Sequence, residues 1–257
     1  MLRATCKTEN IDLEIGSIRP QERMPTATSG QAAEHLYPAS RSQWVRRDLP
    51  LIPYGEALDL QYRLAAEVRS ANKAGVVLFL EHASVFTLGK RGGRENLTVS
   101  DEFLDKRGVA VFETERGGNI TYHGPGQLVV YPIINLKATG LGVADYVDRL
   151  EEVMLRTAAD WDIHARRDAR NRGVWVGNNK LGSIGIAVKR GVALHGLALN
   201  VATDLTPFTW INPCGLTDAG IISLAKAGAV DASIARVRDR LADHMSAVFK
   251  INWKGSS

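Results

Sequence analysis

The sequence predicts an α+β fold built of mixed, largely antiparallel sheets with helices on the outside. Three observations predict it. Apolar residues recur at helical spacing in three separate long stretches. Runs rich in β-branched and apolar residues lie between them, bounded by glycine and polar residues. Hairpin signals outnumber the strict strand–helix alternation of a parallel α/β sheet.

The elements follow in order along the 257 residues. Residues 1–40 lack apolar periodicity and are rich in Thr, Ser, Glu, Arg and Pro, the composition of a flexible extension that buries no face. Residues 41–257 read as a single domain, with order beginning near Gln43-Trp44-Val45. "PYGEALDLQYRLAAEVRSANKAG" places Ala57, Leu60, Leu64, Ala65 and Val68 on one helical face, with Gly75 as its stop. "VVLFLEH" reads as a strand buried on both faces. "VFTLGKRGGRENL" reads as a strand end and a basic glycine loop, and Ser100 as the cap of a short helix over "DEFLDKRGV". "AVFETE" and "QLVVYPIINL" are strands on either side of a glycine-rich segment. "VADYVDRLEEVMLRTAADWD" is an amphipathic helix whose apolar face runs from Val143 to Trp161. A hairpin and a third strand follow over 173–201, and "DASIARVRDRLADHMSAVFK" supplies a last helix.

Composition narrows the function. The net charge is +4 and no basic run is interleaved with aromatics, so nucleic acid is not an expected partner. No apolar run reaches the ~18 residues of a membrane span, and no signal or transit pattern is present. The two cysteines, Cys6 and Cys214, make neither a disulfide scaffold nor a zinc spacing, which fits a reducing, cytoplasmic setting with no metal and no cofactor.

Three places carry chemistry. "ERGGNITYHGPGQLVVY" has no Walker or GxGxxG pattern and leads into a strand rather than a helix, which argues against a phosphate cradle. It is either a tight turn or the wall of a site that a ligand approaches closely. His82, His123 and His195 sit in separate segments without metal-ligand spacing. Cys214 lies in the loop "WINPCGLTDAG", with little core to pack against; a reactive thiolate there needs a neighbour that lowers its pKa, and Lys180 in "GNNKLGSIG" is the candidate. Sequence alone does not show that the two side chains meet.

Together these segments resemble the lipoyl(octanoyl) transferases. The family pattern R-G-G-x-x-T-[aromatic]-H-x-x-G-Q-x-x-x-Y is met by "RGGNITYHGPGQLVVY", and "KLGSIGIAV", "HGLALNV" and "INPCGL" follow in the family's order. "EHASVF" departs from it, with Ala-Ser where two prolines are common. The resemblance runs from about Trp44 to Phe249. It implies the fold of lipoate and biotin protein ligases. It also implies transfer of an octanoyl or lipoyl group from acyl carrier protein to the lysine of a lipoyl domain, on 2-oxoacid dehydrogenase complexes or glycine cleavage H protein. Cys214 would be the acyl-thioester nucleophile and Lys180 the group that lowers its pKa and moves protons. Arg116, Gly117, Gly118, Asn119, Ile120, Thr121, Tyr122 and His123 would line the acyl site with Ser183, Ile184, Gly185, Gly196, Leu197 and Ala198. Beyond the resemblance, the chemistry asks for a backbone donor to the oxyanion, for which the Gly215 N–H is the candidate, and the charges of Lys90, Arg91 and Arg94 either steer an acidic carrier or are simply solvated. The alternatives are an ATP-dependent ligase on the same fold and a non-enzymatic acyl-binding protein.

Overall fold

The computed structural model describes residues 42–70, 75–212 and 219–254, and the expected extension over 1–40 lies outside them. The chain opens with β1 (Ser42–Ile52), α1 (Tyr54–Ser70) and β2 (Gly75–His82). β2 returns parallel to β1, so these elements form a βαβ unit that hairpin reasoning passed over. Gly75, expected to stop the helix, instead opens β2, where a Cβ would stand 3.1 Å from the Ile133 carbonyl and from the Ile134 side chain of the neighbouring strand.

A small sheet comes next. β3 (Val85–Leu88) is central, with β4 (Ala110–Glu113) parallel on one side and β5 (Thr121–His123) antiparallel on the other. Between β3 and β4 lies α2 (Asp101–Asp105), capped as expected: Ser100 Oγ accepts from the Phe103 N–H at 3.3 Å. Phe86, Leu88, Leu104, Ile120 and Tyr122 form a separate apolar cluster around this sheet.

The main sheet is completed by β6 (Gln127–Asn135), β7 (Gly173–Val176), β8 (Asn179–Lys189), β9 (Val192–Asn200), β10 (Gly220–Ile221) and β11 (Ile251–Lys254). Its order is β10-β8-β9-β6-β2-β1-β11, with β7 also paired to β8. The middle ladders β2–β6, β6–β9 and β8–β9 are antiparallel, and β1–β2, β1–β11 and β8–β10 are parallel. The predicted mixed architecture is the one observed.

Helices cover the sheet on both sides. After the short α3 (Leu136–Thr139), α4 (Val143–Ala159) and α5 (Ile234–Phe249) bury Tyr146, Leu150, Met154, Leu241 and Met245 with Val77, Phe79, Leu128 and Val130. The alternate residues of the same strands, Leu78, Leu80, Val129 and Tyr131, pack with Ala57, Leu64 and Val68 of α1. Val143, expected on the buried face of α4, is exposed; Glu151 is buried there instead.

Candidate active site

The glycine-rich segment that raised the choice between turn and wall does both. After β4 the chain crosses to the main sheet, and the Gly117 N–H donates to the Ile186 carbonyl of β8 at 2.8 Å. Gly185 makes this approach possible, since a Cβ there would stand 3.0 Å from Arg116 Cδ and 3.1 Å from the Gly117 carbonyl. Arg116 is buried, and its guanidinium donates to Thr87 Oγ1 at 2.9 Å and to the Thr87 carbonyl at 2.5 Å. The corner at Gly124-Pro125-Gly126 is a turn, with Gly126 at φ +80 against the Ala202 carbonyl, a conformation and a spacing that exclude a side chain.

Between this arm and the main sheet lies a narrow, mainly apolar cavity of ≈ 100 Å³. It collects most of the predicted residues: Arg116, Gly118, Asn119, Ile120, Thr121 and His123 from the arm, with Lys180, Ser183, Ile184 and Gly185 from β8 and Gly196, Leu197 and Ala198 from β9. Gly117 and Tyr122 are not on its wall. Gly117 is the residue tied to β8, and Tyr122 turns into the small-sheet cluster, 5.4 Å from Phe86 between ring centroids.

Lys180 is on the cavity wall. Its Nζ lies 5.4 Å from the centre of the Trp175 ring on β7, and its carbonyl accepts from the Ile222 N–H at 3.0 Å. β10 pairs with β8 at Lys180 itself, Ile221 opposite it. Cys214 and Gly215 lie outside the described residues. The chain on either side of them does reach the cavity: Ile211 before, and Ala219, Gly220 and Ile221 after, are part of its wall. A larger basin of ≈ 790 Å³ shares Asn119 and Asn171 with it and is lined by Arg91, Arg167, Arg170 and Arg172 together with Glu151 and Asp168.

Of the three histidines that looked unrelated in sequence, His123 and His195 line this cavity, and His82 packs behind it with its ring centroid 5.8 Å from that of His123. The His82 Nδ1–H donates to the Ile52 carbonyl at 2.9 Å, which leaves Nε2 to accept from the Tyr131 hydroxyl at 2.8 Å. The His123 Nδ1–H donates to Gln127 Oε1 at 2.7 Å; the Gln127 amide is oriented by its own donation to Asn200 Oδ1 at 2.9 Å. Burial keeps all three rings uncharged, pushing His82 to about 4, His123 to about 3 and His195 to about 4. Among the described residues no group of three or more His, Cys, Asp or Glu is arranged to hold a metal ion.

Sequence reasoning missed Tyr54, Tyr131, Trp175, Phe208 and Ile211, all on the wall. Tyr131 closes the quoted glycine pattern and Ile211 opens the Cys214 loop, yet neither was named as a wall residue; Trp175 stands near the Lys180 segment, and Tyr54 and Phe208 lie outside every segment singled out for chemistry.

A narrow, mainly apolar cavity with a lysine on its wall belongs to the class of sites that hold an apolar ligand beside an ionisable group. The Lipoyl protein ligase A/B catalytic domain family matches residues 53–246. An octanoyltransferase of Syntrophobacter fumaroxidans is 42% identical over 207 residues, covering 80% of this chain and 91% of its own. One from Desulfotalea psychrophila is 51% identical over 174 residues, 67% of this chain and 78% of its own. A bipartite lipoate protein ligase from Thermoplasma acidophilum shares the fold, with a TM-score of 0.68 at 19% identity over 84% of this chain and 87% of that one. The chain belongs to the lipoyl protein ligase A/B catalytic domain family and, within it, to the octanoyltransferases, which are acyltransferases.

Proposed function

We propose that this protein transfers an octanoyl or lipoyl group from acyl carrier protein to the lysine of a lipoyl domain, through a thioester on Cys214. The observation that carries the reading is one cavity that gathers Lys180, the Arg116–His123 arm and both flanks of the Cys214 loop.

The chemistry balances in two steps. Neutral Lys180 takes the Cys214 proton, and the resulting thiolate attacks the donor thioester carbonyl. The tetrahedral intermediate collapses with cleavage of the donor C–S bond, and the Lys180 ammonium protonates the departing carrier thiolate. One thioester has replaced another, so the step is near equilibrium. In the second step a neutral lysine amine of the lipoyl domain attacks the Cys214 thioester. Its surplus proton passes through Lys180 to the Cys214 sulfur as that C–S bond breaks. Thioester to amide is downhill and needs no ATP. A backbone donor such as the Gly215 N–H suits the oxyanion; losing such a donor costs about 3 kcal/mol in comparable sites.

Lys90, Arg91 and Arg94 give an acidic carrier a favourable approach. The acceptors we assign are lipoyl domains of 2-oxoacid dehydrogenase complexes or glycine cleavage H protein. We also assign residues 41–257 as the catalytic unit and a cytoplasmic location. No helix among the described residues is long and apolar enough to cross a membrane.

The rival is ATP-dependent ligation, which needs no cysteine nucleophile. Cys214→Ser supplied with ATP, free octanoate and a lipoyl domain separates them. We expect no acylated domain; full ligation by the variant would overturn the transferase reading.

A further inference from the structure

The end of the cavity away from Lys180 is polar, and the sheet is interrupted to make it so. The β6–β9 ladder pairs Val130 with Leu197 and resumes at Ile134 with Ala193. Between them stands Pro132, which has no N–H to donate to its neighbour. Opposite it, His195 takes φ +57, rare for a residue with a side chain. Its N–H donates instead to Gln61 Oε1 of α1 at 2.8 Å, and the Pro132 carbonyl accepts from the Tyr146 hydroxyl at 3.3 Å. The displaced His195 ring lines the cavity beside Tyr54 and Tyr131.

Two polar atoms at this end make no hydrogen bond of ordinary geometry among the described residues, His195 Nε2 and Tyr54 Oη, although Thr114 stands near the tyrosine hydroxyl. Both residues are buried, at 1% and 3% exposure. The nearest carboxylate to the imidazole, Glu115 Oε1, is 3.7 Å away, beyond hydrogen-bonding distance. Glu115 is engaged elsewhere, accepting from the Tyr62 hydroxyl at 2.7 Å and paired with Lys189 at 2.9 Å. Tyr131 cannot supply the imidazole with a proton, because its hydroxyl is given to His82. Along β8, Lys180 and Ile186, the partner of His195, are separated by roughly 20 Å of ladder. The polar pair therefore lies at the far end from the reacting group.

We propose that Tyr54 and His195 form a polar stop that sets the length of the acyl chain; this rests on the acyl-site reading above. A chain that ends short of the pair leaves the Tyr54 hydroxyl and the His195 ring nitrogen uncovered. A longer chain presses methylenes against a hydroxyl and a ring nitrogen and closes them off without partners. A longer chain that carries a terminal hydroxyl satisfies them instead. The class of ligand this end accepts beyond the stop is thus an ω-hydroxylated fatty acyl group, not a plain alkyl one.

The test measures binding of octanoate, decanoate and 10-hydroxydecanoate to the full-length protein by calorimetry, beside Tyr54→Phe and His195→Asn. Asn tolerates the positive φ at that position. In the unsubstituted protein, decanoate binds about tenfold more weakly than octanoate, and the terminal hydroxyl recovers most of that loss. Either substitution narrows the octanoate–decanoate ratio to about threefold or less and removes the advantage of the hydroxyl. Ratios unchanged in both folded variants, no preference for the hydroxyl, or no binding of any of the three acids would overturn the stop. These ratios do not depend on transfer. A protein that discriminates as described yet never acquires octanoyl on Cys214 keeps the stop and loses the transferase reading. One that transfers octanoyl with unchanged ratios loses only the stop.

Discussion

Both ring nitrogens of His82 are committed. With Nδ1–H committed to Ile52 and burial opposing its charge, the ring accepts from Tyr131 and nothing else. Tyr131→Phe strips that donor from a buried nitrogen, and we expect a loss of about 1–3 kcal/mol in denaturant melts; no loss would mean the bond contributes nothing. Lys180 makes a kinetic prediction. Lys180→Ala raises the Cys214 thiol pKa, so the pH profile of alkylation moves to higher pH, and an unmoved profile would remove Lys180 from that role. Lys180 and the Arg116–His123 arm were legible in sequence because their residue types sit in a long, specific pattern. The His82–Tyr131 bond was not, since its partners lie 49 positions apart and each alone reads as an ordinary strand residue.

α4 shows what periodicity can and cannot deliver at the scale of an element. Its helical span was readable, and so were Tyr146, Leu150, Val153 and Met154 as its buried stripe. Charge misled. Glu151 is buried because its carboxylate accepts from the Gly173 N–H at 2.9 Å at the start of β7 and meets Arg172 and Arg167, each at 3.2 Å. It fastens the helix to the strand that carries Trp175, and so stands behind Lys180. Glu151→Ala leaves the Gly173 N–H unpaired and should cost about 2 kcal/mol. Glu151→Gln retains an acceptor and should cost less than half of that, as equilibrium unfolding would show. Equal losses would place the effect in the charge pairs rather than in the backbone bond. β1 escaped sequence reasoning for a related reason: its pairing to β2 and β11 is parallel and therefore non-local, with no turn between paired strands to announce it.

For the whole molecule, the three buried histidines set a pH limit. Each is neutral in the folded protein with a pKa of about 4, 3 and 4, against about 6.5 in an unfolded chain. Below pH 6.5 the unfolded state therefore binds the extra protons, so stability is fully present above that pH and falls towards pH 4. The slope reaches as much as about 4 kcal/mol per pH unit if all three titrate together. Melts at pH 7.5, 6 and 5 check it; a flat Tm across that range would contradict burial of the histidines in neutral form. At this scale the sequence announced the mixed sheet and its outer helices, while the narrowness of the cavity and its polar end depend on how two sheets meet.

The central claim is that Cys214 becomes an acyl thioester. Intact mass after mixing the protein with octanoyl acyl carrier protein tests it most directly. We predict a gain of one octanoyl group, absent in Cys214→Ala and discharged when a lipoyl domain is added. No gain in the unsubstituted protein, or an equal gain in Cys214→Ala, would contradict it.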